Sequence, residues 1–128
     1  LKLIFNWQTR HLSGQKYYAD FVKDQNASLE MATKNLLRMN FVGITERFKE
    51  SLLCLSSDLD WKKLRHKNQN VQQKNDEAQL LASKYREQIL EKNQLDIALY
   101  KLANTLLENQ IEKITPVEKA AFKLKLLF

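Results

Sequence analysis

Two glycines, one proline and one cysteine in 128 residues remove several classes of protein before any motif is sought. Gly14 and Gly43 stand far apart, so no glycine-rich loop can cradle a nucleotide phosphate, and a phosphate here must be held by side chains or a helix N-terminus. The same scarcity argues for long helices and few tight turns. Cys54, alone, excludes an internal disulfide and a multi-cysteine zinc site. It falls on the apolar side of its helical stretch, where free cysteine behaves as a small buried hydrophobe. No apolar run approaches the roughly 20 residues of a membrane-spanning helix, and the opening "LKLIFNW" is too short and wrongly flanked for a secretory signal. The first residue is Leu1 rather than Met, so the chain reads as one entered partway through a domain.

What is present is the composition of a folded protein: 44% apolar residues, six Phe, four Tyr and two Trp against 28% charged. The length predicts one domain over residues 1–128. A formal net charge of +6 favours anionic partners through its long-range field. The Lys and Arg residues are spread along the chain, with a loose local excess at Trp61 to Lys74 and no arginine-rich tract.

"LKLIF" fits a short strand or a helix end, and the polar "NWQTRHLSGQ" after it reads as a loop. A short helix fits Tyr17 to Val22. From Ser28 as N-cap, Leu29, Ala32, Leu36 and Met39 recur at helical spacing. Phe41, Val42 and Ile44 then form an apolar run without helical period, which predicts a buried strand. Thr45 sits where an N-cap is needed, and Phe48, Leu52, Leu55 and Leu59 make the next helical stripe. "DLDWKKLRHKNQNVQQKND", Asp58 to Asp76, reads as a long polar loop, of a length that in compact domains is usually functional or disordered. Helix returns over Asp76 to Leu90 and Asn93 to Ile114, the second with Leu95, Leu99, Leu102 and Leu106 along one face. Thr115, Pro116 and Glu118 spell a capping box that opens a last helix running to about Phe128.

A search for reactive chemistry yields little. Asp58 with Asp60, and Asp76 with Glu77, are too close in sequence to face one reaction centre. His11 and His66 are the only imidazoles, with no companion ligands that would make a metal site. No nucleophile motif is present, so no catalytic residue and no metal ligand is assigned.

Three stretches carry a resemblance. "ATKNLLRMNFVGITERFKESLLCLSSDLDW", Ala32 to Trp61, resembles the segment of carbohydrate sulfotransferases in which a helix leads into F-V-G-x-T-E and then an amphipathic helix. The heparan and uronyl 2-O-sulfotransferases and related bacterial proteins share that pattern. "NWQTRHLSG", Asn6 to Gly14, is similar to the family's N-x-Q-T-R-x-L-(S/A)-G loop. "EKNQLDIALYKLA", Glu91 to Ala103, is similar to its closing helix, N-x-L-D-x-x-L-Y. The three follow the family order and cover the chain to about Ile111.

The resemblance implies an α/β fold, the C-terminal part of a P-loop-like parallel-sheet domain, with this chain mostly helical and holding one or two short strands. It implies an enzyme that transfers a sulfuryl group from 3′-phosphoadenosine 5′-phosphosulfate (PAPS) to a hydroxyl of a carbohydrate or glycan acceptor. The family's 5′-phosphosulfate loop, its early catalytic base and its 3′-phosphate clasp have no counterpart here. The chain is therefore expected to be a fragment, inactive alone. The loop after the F-V-G-x-T-E helix would fold over the nucleotide, which makes Arg65, Lys67 and Asn68 the cofactor-binding candidates, or simply an exposed polar loop. Gln8 and Arg10 are candidates for the anionic acceptor, or for capping a helix end. Gly43 would allow close approach to the strand, Glu46 and Arg47 would form structural ion pairs, and Asp96 with Tyr100 would serve packing or capping. The compartment is left open, cytoplasmic for a bacterial relative and Golgi lumen for a eukaryotic one.

The competing reading is a non-enzymatic basic helical domain that binds nucleic acid or another polyanion. It needs a continuous basic face and exposed aromatics, whereas the aromatics here fall mostly on apolar stripes. A helical interaction module is a third reading, suggested by the nearly all-helical second half.

Overall fold

The computed structural model describes residues 5–61 and 76–127, except the side chains of Ala78 and residues 125–127. The described chain is helical: α1 Trp7–Ser13, α2 Tyr18–Lys23, α3 Gln25–Leu37, a 3-10 turn Thr45–Arg47, α4 Phe48–Asp58, α5 Asp76–Lys84, α6 Arg86–Lys92, α7 Gln94–Lys113 and α8 Pro116–Leu127. It divides into two compact units, Leu1–Leu37 with Asn68–Tyr100 and Arg38–Lys67 with Lys101–Phe128. No helix among the described residues is long and apolar enough to cross a membrane.

The α/β parallel-sheet expectation is corrected: no strand occurs among the described residues. Phe41 to Ile44, expected as a buried strand, belongs to no regular element, although Ile44 itself is extended at φ −126° and ψ 129°. Yet a strand needs a second strand beside it to share its ladder. Here side chains take that place. The Gln110 amide accepts from the Val42 N–H at 3.2 Å and donates back to the Val42 carbonyl at 3.1 Å. The Ser51 hydroxyl accepts from the Ile44 N–H at 2.8 Å and lies 3.2 Å from the Ile44 carbonyl. The backbone groups of Val42 and Ile44, the two buried residues of this run, are thus satisfied without a sheet.

In the first unit α1 packs on α3, with Phe21, Ala32, Leu36 and Leu99 buried. The expected loop at "NWQTRHLS" is instead α1. Only Thr9 on it is buried, so one short helix with one inward residue leaves no periodic apolar signal to read. Gly14 ends it in the left-handed region at φ 79°, its N–H bonded to the His11 carbonyl. The helix expected from Ser28 starts three residues earlier, at Gln25. Asp24 caps it, accepting the Ala27 N–H at 2.9 Å, and Ser28 lies buried inside with its hydroxyl on the Asp24 carbonyl.

In the second unit Ile44, Cys54, Leu107 and Ile114 form the core, with Phe41, Leu53, Ala103 and Ile111 packed against it. Burial pushes the Cys54 thiol up, as suits a core residue. The capping box of α8 forms as read: the Thr115 N–H donates to Glu118 Oε2 at 2.8 Å and the Glu118 N–H to Thr115 Oγ1 at 3.3 Å. Two local readings change. Thr45 opens a 3-10 turn capped by no side chain rather than capping α4. The stripe Phe48 to Leu59 is not the buried side of α4, since Phe48 and Leu59 are exposed and Ser51, Cys54 and Ser56 face inward.

Candidate functional site

Two of the resembling stretches meet in the first unit, through the starts of α1 and α7. Each start has orphan amides that its own helix cannot satisfy. Asp96, in the first turn of α7, accepts the N–H groups of Gln8 at 3.1 Å and Thr9 at 2.8 Å, and the Thr9 hydroxyl at 2.7 Å. Asn6, the N-cap of α1, returns the favour. Its Oδ1 accepts the Leu95 N–H at 3.1 Å and the Asp96 N–H at 3.2 Å, while its own N–H donates to Asn93 Oδ1 at 3.0 Å. The two helices thus exchange caps. A carboxylate between two positive helix ends is also electrostatically favoured.

Asn6 holds a left-handed backbone, φ 52° and ψ 46°, and is buried. Asparagine tolerates that conformation better than most side chains. Asn6, Thr9 and Asn93 escaped the reading of the sequence, which weighed Gln8, Arg10 and Asp96. A signal was there: Asn-x-x-Thr and Asn-x-x-Asp each put an N-cap residue three before a polar acceptor, as a capping box does. What sequence alone withholds is that the two boxes serve each other across 87 residues.

Gln8 meets this junction through its backbone only, and its side chain is part of an exposed residue. Arg10 lies with its guanidinium 4.9 Å over the Trp7 ring, whose other neighbour is the His11 imidazole at 3.9 Å between centroids. Arg10 Nε is buried and finds no hydrogen-bond partner. An unmet buried donor costs on the order of 1–3 kcal/mol, so it marks a place where an acceptor would be welcome. Beside the junction a cavity of about 300 Å³ is lined by Phe5, Tyr18, Phe21, Gln25, Lys92 and Gln94, among others. Neither Gln8 nor Arg10 lines it. Lys92 Nζ sits 5.0 Å over the Phe5 ring there.

Arg65, Lys67 and Asn68, the cofactor candidates, lie outside the described residues, as does His66. The third resembling stretch lies in the second unit from Arg38 on, and there it is held by a fork. Arg47 donates through Nε and Nη2 to both Glu50 oxygens, each at 2.6 Å, and through Nη1 to Glu108 at 2.6 Å. These bonds, that to Glu50 first, push the guanidinium above its already high value, and Arg47 holds the Glu50 carboxyl below the usual range. Of the structural ion pairs expected of Glu46 and Arg47, those of Arg47 form, with Glu50 and with Glu108. A Cβ at Gly43 would stand 3.0 Å from the Phe41 ring and 3.2 Å from Ser51 Cβ, so these neighbours would have to give by a few tenths of an ångström.

The aromatics also depart from the expectation of a mostly buried set. Trp7, Tyr17, Phe48, Trp61, Tyr85 and Tyr100 are all exposed. Among the described residues no group of three His, Cys, Asp or Glu side chains is placed to hold a metal ion. No family model, curated protein or solved structure matches the chain.

Proposed function

We propose that the chain is the C-terminal portion of a PAPS-dependent carbohydrate sulfotransferase, contributing scaffold and ligand contacts rather than the sulfuryl-transfer chemistry itself. The observation that carries this reading is the exchange of caps: the Asn, Thr and Asp that spell the resemblance in "NWQTR" and "NQLD" are the residues that bond one another. Residues with a shared structural task are what a motif in two distant pieces requires. Within this reading Arg10 takes the acceptor anion, because a planar guanidinium suits sulfate or carboxylate. Gln8, two residues earlier on α1, is exposed and leaves its side chain to the acceptor. PAPS, as co-substrate, falls to Arg65, Lys67 and Asn68. The test is calorimetric titration of the chain with adenosine 3′,5′-bisphosphate, beside a variant changed to Ala at those three positions. Binding that the variant loses supports the reading; no binding to a chain folded by circular dichroism removes the nucleotide from it.

The polyanion reading gains one specific observation in the first unit. Exposed rings carry cations there: Arg10 over Trp7, Lys16 over Tyr17 at 5.4 Å and Lys84 over Tyr85 at 5.5 Å. Such pairs suit stacking on single-stranded nucleic acid. A salt-dependent affinity for an oligonucleotide, without any for the bisphosphate, would transfer the assignment to this second reading.

A further inference from the structure

The second unit carries a trough of about 560 Å³ between α4, α7 and α8. Its floor is apolar, made by Leu53, Ile111 and Phe122, and its rim is basic, made by Lys49, Lys119 and Lys123. Glu50 is the one acid among the described residues that line it, and Arg47 already binds both of its oxygens. None of the three lysines has an ion pair among the described residues. We infer that this trough is a docking site for an acidic amphipathic helix of a protein partner, with apolar anchors on the floor and carboxylates against the lysines.

Charge complementarity selects the occupant. Three ammonium groups around one apolar floor repel one another and attract a segment that is apolar along one ridge and acidic on both flanks. Lys119 and Lys123 stand one helical turn apart on α8, the spacing at which carboxylates at i and i+4 of a partner helix would meet them. A membrane surface fits less well. Phe122 is only 7% exposed and lies below the lysine rim, where a planar bilayer cannot reach and a narrow helical ridge can. The site is built from residues of the second unit and shares none with Arg10 or the exchanged caps, so it does not rest on the sulfotransferase reading.

The probe is a fluorescently labelled synthetic peptide of about four helical turns, with Leu at i, i+3 and i+7 and Glu on both flanks. Its anisotropy is followed against the chain, beside a scrambled peptide of the same composition and a peptide with Lys in place of Glu. The acidic peptide should bind and the scrambled one should bind at least about tenfold more weakly, the loss of a matched apolar ridge. K49E/K119E/K123E, which changes residues outside the core cluster, should lose the acidic peptide and gain the Lys-flanked one. Equal binding of the acidic and scrambled peptides would reduce the trough to a diffuse positive field and overturn the inference. So would no peptide binding at all, or binding only to vesicles of anionic lipid or to a fatty-acid anion.

Discussion

In the first unit, orphan amides at two helix starts are met by side chains that cross from one start to the other. In the second, the backbone of a lone extended run is met by the Gln110 amide and the Ser51 hydroxyl, above an apolar core. Both satisfy main-chain groups with side chains, but they distribute the stability differently. Asp96 alone accepts three hydrogen bonds in the first unit, so that unit leans on one carboxylate. The second leans on packing, since Leu107 is fully buried among Ile44, Cys54 and Ile114. Polar and apolar cohesion can be separated here, because each unit has its own tryptophan. Trp7 stands in the first and Trp61 in the second, so Trp61→Phe reports one unit and Trp7→Phe the other.

The largest effect should come from the packed unit. Leu107→Ala removes a side chain of 0% exposure and leaves a cavity, which costs about 3–5 kcal/mol in a rigid core. Urea unfolding followed through Trp61 should show most of that loss, and the transition seen by Trp7 should move less. Equal shifts in both signals would mean that the units unfold as one, and the comparison would collapse.

The junction should respond next. Asp96→Ala leaves the Gln8 and Thr9 amides and the Thr9 hydroxyl without their acceptor, a loss of about 2–4 kcal/mol for bonds to a charged group. The Trp7 signal should report it, because Trp7 is the first residue of α1. Asn6→Ala should cost a similar amount, partly through its left-handed backbone, and Asn6→Gly isolates the side chain by removing that strain. A double-mutant cycle between Asn6→Gly and Asp96→Ala should give a coupling of about 0.5 kcal/mol or more, since each cap holds the helix start that carries the other. Strict additivity would show that the two caps act separately.

These two regions also mark what was legible in the sequence. The α8 capping box was readable because all its partners lie within three residues, Thr115 to Glu118. The burial of Cys54 was readable from residue type alone, since a free cysteine behaves as a small buried hydrophobe. The buried side of α4 was not, because it is lined by serines whose hydroxyls bond carbonyls within the turn, as Ser56 does to Leu53 at 2.9 Å. A satisfied serine enters a core cheaply, and a hydrophobic pattern does not see it. Phe41 to Ile44 was legible as an apolar break between helices but not as strandless, because a strand is defined by a partner that local sequence does not contain. The candidate site was half legible. Asp96 reads as a packing or capping residue, but its clients and the reciprocal role of Asn6 depend on contacts between residues about ninety positions apart.

The smallest effect tests whether charge adds anything to the packed unit. Glu50 is held below the usual carboxylate range by its bonds from Arg47. A carboxyl whose folded value is depressed stabilises the fold above its unfolded value, and that contribution disappears as pH falls through the folded value. The Trp61 transition should therefore weaken on acidification, beginning near the ordinary carboxylate range of about 4.3 and continuing below it. Glu118, depressed by its bonds from Thr115, adds a contribution of the same sign. Glu50→Gln should flatten part of that slope in the Trp61 signal and leave the Trp7 signal unmoved. The change should be slight, because both partners of the fork reach solvent, with side-chain exposures of 22% and 45%, and water and salt screen such pairs. A steep acid transition retained in Glu50→Gln would assign the acid sensitivity to other carboxylates. The Arg47 fork would then orient the extended run without measurably stabilising it, and cohesion in the second unit would rest on its apolar core.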